Sequence, residues 1–315
     1  MPKNRALLIG INQYHPLIGP LGGCVNDLKQ VRNILLDLGV CSLSEIRELA
    51  DANATREAIF NSFDWLVEDA IEGDLRIIYY SGHGTRLPNA NDPSGKDEAL
   101  VVFSSEWESL FVGKDDASEI FLEENWDLQF IRDKEIKACL GEVPEGVNLT
   151  LIMDCCHSGN IQRDIQVFPR FLPPPSNIRE EIEQAQHVCL ENAQESMLEA
   201  SLDTYKLDKN QMQHLIQKIF LGNRFDFVNT QEKNILLAAC SEKETALEKM
   251  FEGRAGGVFT HYLVKVLRAQ GENITYSGLM KSLGDHMRFF PQMPRLACSA
   301  HVRDQLIFSS LKNIS

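Results

Sequence analysis

No run of apolar residues in this chain is long enough to cross a membrane. The short apolar stretch after Met1-Pro2-Lys3 runs into a Gly10-Ile11-Asn12-Gln13-Tyr14 turn, so it does not read as a secretory leader. No Cys-x-x-Cys pair occurs among the eight cysteines, which argues against a zinc ribbon or a disulfide framework. Cys240 and Cys298 lie inside apolar runs and read as small core hydrophobes. Positive charge is scarce: 31 Lys and Arg stand against 45 Asp and Glu, a net charge of −14. That balance argues against a general nucleic-acid binder and suits a site that attracts cations or basic peptides. No internal repeat is found. These absences describe a protein of a reducing cytoplasm, with neither membrane nor nucleic acid among its partners.

What is present is ordinary in bulk. The chain has 315 residues, 43% hydrophobic and 24% charged, enough to bury one large core or two small ones. A first strand, Arg5 to Ile11, begins so close to residue 1 that no N-terminal prodomain is expected. Leu28, Val31, Leu35 and Leu38 share one face of a helix that Gly39 ends. Ile46 to Leu49 is a short strand, and Thr55 caps a helix with the stripe Ile59, Phe63, Leu66 and Ala70. Strands are expected over Asp74–Tyr80, Asp97–Phe103, Val147–Met153 and Asn234–Cys240. Helices are expected over Asp133–Leu140, from Val258 through Leu267 and over Thr275–Met287. Gln292–Leu296 and Leu306–Phe308 are expected to end the sheet, while Thr85–Lys96 reads as a polar loop. Strands alternating with helices predict an α/β fold: a mostly parallel central sheet with helices on both faces. Between Gly159 and Asn234 the pattern breaks into a Pro-rich stretch and then a polar, helical linker.

The chemistry gathers at two strand ends. The strand before Asp154-Cys155-Cys156-His157-Ser158-Gly159 and the strand before Ser81-Gly82-His83-Gly84 would, as parallel neighbours, bring His83 beside Cys156 at one sheet edge. A thiol beside an imidazole is an activated nucleophile. The backbone N–H groups of Cys156 and Gly84 are candidate donors to a developing oxyanion. Cys155 alternates with Cys156 and faces away. Asp154 lies two before Cys156, on the same face, and Asp27 opens the first helix, where the helix start alone would explain an acid. If both carboxylates meet beside Cys156, they form a pocket for a Lys or Arg side chain. Two other readings stand beside this one. His83, Cys156 and His157 are also a possible metal set, lacking a clear further ligand. A folded module that binds a partner without chemistry is the other.

At these residues the sequence resembles the caspase-like cysteine peptidases of the metacaspase and orthocaspase branch. The matching stretches are Ala6–Asn12 with Tyr14, Leu21–Leu28, Tyr79–Gly84, Asp97–Leu100 and Asp154–Gly159, with weaker matches at Ala238–Cys240, Gly257–Thr260 and Gln292–Pro294. The resemblance implies a caspase–haemoglobinase fold. Residues 1–160 would be a large-subunit-like part, 161–233 an inserted, partly helical linker and 234–315 a small-subunit-like part of the same domain. It implies an endopeptidase with a Cys156–His83 dyad, cleaving after Arg or Lys through an acyl-enzyme thioester. Asp27, Asp154, Cys24 and Ser81 would line the pocket for the basic residue. A catalytically silent or partner-regulated scaffold of the same fold is the alternative. No cofactor is required for the chemistry, but many members of the family are activated by calcium. Asp97, Asp133 and Asp164 are the positions here that correspond. Lys134 stands where a second acid is expected and the later acid is displaced to Asp164, so weak calcium dependence or none is expected. The linker, Pro169 to Thr230, is expected to be a docking surface for a regulator or a segment the enzyme cuts itself, after Arg179, Lys206, Lys209, Lys218 or Arg224.

Overall fold

The computed structural model describes residues 3–89, 91–92, 94–113, 126–141, 143–156, 168–174, 178–188, 234–241 and 244–310. The first half supplies β1 (Asn4–Gly10), α1 (Cys24–Asp37), β2 (Ile46–Ala50), α2 (Arg56–Val67) and β3 (Leu75–Ser81). It continues with β4 (Gly84–Pro88), β5 (Lys96–Val101), α3 (Trp107–Leu110), β6 (Phe130–Arg132), α4 (Asp133–Leu140) and β7 (Asn148–Asp154). After β7 come β8 (Phe168–Pro169) and a helix over 178–188, here α5. The last part holds β9 (Asn234–Ala238), β10 (Leu247–Phe251), β11 (Arg254–Gly257), α6 (Val258–Gln270), α7 (Tyr276–Met287) and β12 (Arg295–Ala297).

The main sheet has six strands in the order β12-β9-β7-β3-β1-β2. Five run parallel, and β12 closes one edge antiparallel to β9. The inner strands β9, β7, β3 and β1 are buried on both faces over most of their length, so they read as continuous apolar runs. Alternate residues feed two cores. Leu7, Ile9, Ile78, Tyr80, Leu149 and Leu151 pack with Ile59, Phe63 and Leu66 of α2 and Ile136 and Leu140 of α4. Ala6, Leu8, Ile77, Tyr79, Ile152 and Leu237 pack with Leu28, Val31 and Leu35 of α1, Leu263 of α6 and Leu279 and Leu283 of α7. Cys155 falls in the first core and Cys156 in the second, as strand alternation predicts. Thr55 caps α2 by accepting from Ala58 N at 3.2 Å, a contact worth about 1 kcal/mol.

Two small sheets, β11-β10-β8 and β4-β5-β6, lie beyond the main one. Both depart from the sequence expectation. Thr85 to Pro88 pairs with β5 as a hairpin, where a polar loop was expected. The β10–β11 hairpin has no sequence signature beyond a positive-φ Glu252-Gly253 turn. Edge strands this short carry too few residues to display a period of two. Leu306 bridges to Thr275 and does not join the main sheet.

Candidate active site

Neighbouring strands β3 and β7 are in a register that sets Ser81 opposite Asp154. His83 and Cys156 each follow by two residues, so both leave the C-terminal edge of the parallel sheet at the same level. Gly82 is required between Ser81 and His83, because a Cβ there would lie 2.6 Å from the hydroxyls of both Tyr14 and Tyr80. Those hydroxyls fix the His83 backbone. Tyr14 accepts its N–H at 3.0 Å and Tyr80 donates to its carbonyl at 2.7 Å.

The imidazole is oriented by one partner. His83 Nε2 lies 2.7 Å from the carbonyl of Gly19. A carbonyl only accepts, so the proton sits on Nε2 and the lone pair on Nδ1. Nδ1 is buried and has no hydrogen-bond partner among the described residues. Burial pushes the His83 pKa down to about 4, with a further push from the Arg170 charge, while the Gly19 bond opposes them. The imidazole is therefore neutral at pH 7, with its basic nitrogen free. Cys156 is fully buried and its thiol donates to the Glu244 carbonyl at 2.8 Å. Cys240, read from the sequence as an inert core residue, hydrogen-bonds Cys156.

The two expected oxyanion donors converge on one atom. Cys156 N–H and Gly84 N–H each donate to the carbonyl oxygen of Arg170 at 3.2 Å. The peptide around that carbonyl is tied on both sides. Before it, Phe168 and Pro169 pair antiparallel with β10, and Arg170 N–H donates to Ala246 at 3.0 Å. After it, Leu172 N–H donates to Gly84 at 2.9 Å, and the Thr85 hydroxyl donates to the Leu172 carbonyl at 2.8 Å. Residues 168–172 thus cross the sheet edge as an extended peptide strung between the two small sheets.

The Arg170 side chain enters the pocket expected for a basic residue. Its Nη2 lies 2.6 Å from Asp27 Oδ2, and its Nη1 lies 3.1 Å from Asp154 Oδ2 and 2.8 Å from Ser81 Oγ. Asp27, Asp154, Ser81 and Arg170 are all fully buried. The expected lining residue Cys24 is also buried there and bonds Ser81. A fourth acid, Glu248 on β10, reaches Nη2 at 3.4 Å. Sequence reading misses both Arg170 and Glu248. Arg170 is a lone cation after a Pro in a stretch without periodicity. Glu248 sits on an edge strand the sequence does not signal.

Each carboxylate also serves a helix start. Asp27 lies in the first turn of α1 and accepts Gly257 N–H at 2.8 Å. Asp154 Oδ2 accepts from Thr260 N at 3.1 Å and Oγ1 at 2.6 Å, in the first turn of α6. Helix N-termini favour such charges. Gly257 has to be Gly, because a Cβ would collide with the Asp154 carboxylate and the Arg170 guanidinium. Three buried acids surround one buried cation. Burial pushes Asp27 up to about 7; Arg170 opposes the rise and Asp154 adds to it. The same acids hold Arg170 well above its ordinary value despite its burial.

Asp97, the first position expected for calcium, is already held by cations of the chain. Lys134 Nζ sits 3.0 Å from both Asp92 Oδ2 and Asp97 Oδ1. Arg132 Nη1 lies 3.1 Å from Asp97 Oδ2, and Asn89 Nδ2 donates to Asp97 Oδ1 at 2.7 Å. Both oxygens of Asp97 are thus engaged, and an ammonium fills the place of a cation. Asp133 is buried at the start of α4, and Asp164 lies outside the described residues. No group of three or more His, Cys, Asp or Glu among the described residues is arranged to hold a metal. His157 lies outside the described residues. No described helix is long and apolar enough to cross a membrane.

A mostly parallel sheet with a His and a Cys at the ends of adjacent strands is the arrangement of a caspase-like α/β fold. The chain matches the caspase domain family over residues 3–305 and belongs to it. Metacaspase-8 of Arabidopsis thaliana is 30% identical over 171 residues, 51% of this chain and 39% of that protein. Metacaspase-2 of Trypanosoma brucei brucei is 32% identical over 165 residues, 50% of this chain and 42% of that protein. The matched part is thus about two-fifths of either relative's length. Metacaspase-1 of Mycosarcoma maydis is 24% identical over 324 aligned positions, covering 97% of this chain and 73% of that protein. Among solved structures, protein GSU0716 from Geobacter sulfurreducens superposes with a TM-score of 0.61 at 21% identity, covering 99% of this chain and 100% of that one. At that identity the likeness is one of fold.

Proposed function

We propose that this chain is a cysteine endopeptidase that cleaves after Arg or Lys, with Cys156 as nucleophile and His83 as general base. One observation carries the reading: the chain presents its own Arg170 to the site as a substrate would be presented. The carbonyl lies on the two N–H groups that would hold an oxyanion, the guanidinium lies among the acids, and the backbone is paired on both sides.

His83 Nδ1 takes the thiol proton and the Cys156 sulfur attacks the carbonyl carbon. The carbonyl electrons move onto the oxygen, where the Cys156 and Gly84 N–H groups stabilise the charge. Each such donor is worth roughly 100- to 1000-fold in rate. On collapse the C–N bond breaks and the imidazolium hands its proton to the leaving amine. Water then attacks the thioester, with His83 again the base, and releases the acid and the free thiol. To begin, the Cys156 thiol has to leave the Glu244 carbonyl.

The internal scissile bond is Arg170–Phe171. It lies within the linker expected to be self-cut, before the basic residues first expected. Of those, Arg179 is on α5 and the others lie outside the described residues. A regulator docking on the linker is compatible with this reading. N-terminal sequencing of fragments from active protein should read Phe171-Leu172, and the Cys156→Ala protein should stay whole. On reporter peptides, cleavage after Arg or Lys should far exceed cleavage after Asp. Faster cleavage after Asp would refute the specificity. No cleavage of any peptide, or of the chain itself, would leave the non-catalytic scaffold.

A further inference from the structure

We infer that Glu248 is a specificity-determining residue that makes the pocket select Arg over Lys. The inference rests on the reading of Arg170 as an internal substrate, and it concerns what distinguishes one basic side chain from the other.

Four of the five N–H groups of the Arg170 guanidinium have partners. Nη1 serves Ser81 and Asp154, and Nη2 serves Asp27 and Glu248. Nε has none among the described residues. The fork therefore spans acids from three elements: α1, β7 and β10. Asp27 and Asp154 flank the two arms, and Glu248 lies against the outer side of Nη2 at 3.4 Å.

Glu248 is placed without the guanidinium. Its Oε1 accepts Gly22 N–H at 2.9 Å and its Oε2 accepts Gly23 N–H at 3.1 Å, just before α1. It is 4% exposed, so little water reaches it. Its backbone stands opposite Phe168 in the strand pairing, so the element that holds the incoming peptide also carries the acid. The carboxylate waits at a fixed depth for a donor that is long enough.

A lysine ends in a single ammonium about where the arginine Cζ lies, one bond short of either Nη. From there an ammonium reaches Asp27 and Asp154 but falls short of Glu248. Glu248 would then stay buried as a third negative charge without its cation, beside Asp27. Its oxygens keep the Gly22 and Gly23 N–H groups, but a buried carboxylate left without its cation costs more than the ion pair contributes, so the discrimination falls on the Lys substrate. Arg gains the contact, and Lys meets the uncompensated charge.

A purely structural Glu248, tying β10 to the 22–23 loop, would make no such distinction. Its loss would slow Arg and Lys substrates alike. The discriminating quantity is the ratio of kcat/KM for Phe-Pro-Arg and Phe-Pro-Lys reporter peptides, whose residues copy 168–170. In the wild-type protein the ratio should exceed tenfold in favour of Arg. In Glu248→Gln, turnover of the Arg peptide should fall while that of the Lys peptide holds or rises, bringing the ratio toward one. An Arg170→Lys chain should cut itself at least tenfold more slowly than wild type; this arm leaves Glu248 in place should the Gln variant not fold. A wild-type ratio near one, or a ratio that Glu248→Gln leaves unchanged, would overturn the inference while keeping cleavage after basic residues. Absence of cleavage after either residue would instead overturn the peptidase reading beneath it.

Discussion

Two clusters of buried acids in this protein are each neutralised from within the chain, and they differ in what carries the cation. In the first, Asp27, Asp154 and Glu248 hold Arg170, which comes from an extended peptide between two small sheets. In the second, Asp92 and Asp97 hold Lys134, which comes from the first turn of α4. That helix is anchored through Ile136 and Leu140 in the core and through the Arg56–Glu135 ion pair. A cation at a helix N-terminus opposes the macrodipole, and the two acids offset that cost. On the proposed reading, one cluster is filled by a group whose peptide is cut and leaves. The other is filled by part of the scaffold. On that reading the same electrostatics make a substrate pocket in one place and a closed ion cluster in the other.

The largest effect should come from disabling the group that frees the first cation. Cys156→Ala and His83→Ala should each remove nearly all peptidase activity and leave the chain whole, whereas Cys155→Ala, on the opposite sheet face, should keep most of it. The two catalytic changes act on one unit, so the double variant should be little worse than either single. An active Cys156→Ala protein beside an inactive Cys155→Ala protein would reverse the assignment.

Next should come the acids. Removing one partner of a desolvated charge pair costs about 2–5 kcal/mol. Asp154→Asn should therefore lower kcat/KM on Arg peptides by one to three orders of magnitude. Asp97→Asn, in the second cluster, should move it by less than about threefold, because the substrate does not meet that acid. Equal losses in the two variants would mean that the clusters are not functionally distinct.

Much of this was legible in the chain because the main sheet writes itself twice. Its strands are long, apolar and two-faced, so Leu75–Ser81 and Asn148–Asp154 announce both the fold and the edge where His83 and Cys156 emerge. Asp27 and Asp154 were legible through their places relative to helix and nucleophile. Lys134 was legible as a cation where an acid was expected. Arg170 and Glu248 were not. Their significance depends on β8 and β10, short edge strands whose partners lie 78 residues apart along the chain, and neither has a local pattern to reveal it. The pocket's own occupant was the residue that local patterning could least supply.

A third test uses pH, on the Cys156→Ala protein so that the peptide stays in place. His83 is pushed by burial to about 4, so between pH 6.5 and 4 the unfolded chain binds a proton there that the folded one does not. Stability from this group therefore falls as pH drops through that window, by about 2 kcal/mol between pH 7.5 and 5. Asp27, raised by burial to about 7, does the opposite: the folded state holds its proton from pH 7 down to the ordinary carboxylate range. Its contribution grows on acidification by a similar amount, about 2 kcal/mol. The two oppose each other, so adding Asp27→Asn should make the urea midpoint fall more steeply from pH 7.5 to 5 than it does in the protein that keeps Asp27. Asp92 of the second cluster stays silent in this range. Burial alone would raise Asp92, but Ser94 and Lys134 together hold it below its ordinary value, so it loses stability only at lower pH. A slope that Asp27→Asn leaves unchanged would mean that Asp27 stays ionised beside Arg170.

The smallest effects should come from the second cluster itself. With Lys134 bridging Asp92 and Asp97, and Arg132 and Asn89 also on Asp97, calcium would have to displace an ammonium and find further oxygens. The ion wants six to eight of them. Peptidase rate after exhaustive chelation should therefore change by less than about twofold across micromolar to millimolar free calcium. Lys134→Met should lower stability by only about 1 kcal/mol, since the ammonium is 43% exposed and Asp97 keeps its other partners. The same variant sharpens the contrast between the clusters. It removes the resident cation and leaves two acids facing the gap, so calcium should raise its melting temperature more than that of the wild type. A wild-type rate that rises tenfold or more with calcium, and loses that rise in Asp97→Ala, would show that Lys134 yields its place and that the second cluster is a switch after all.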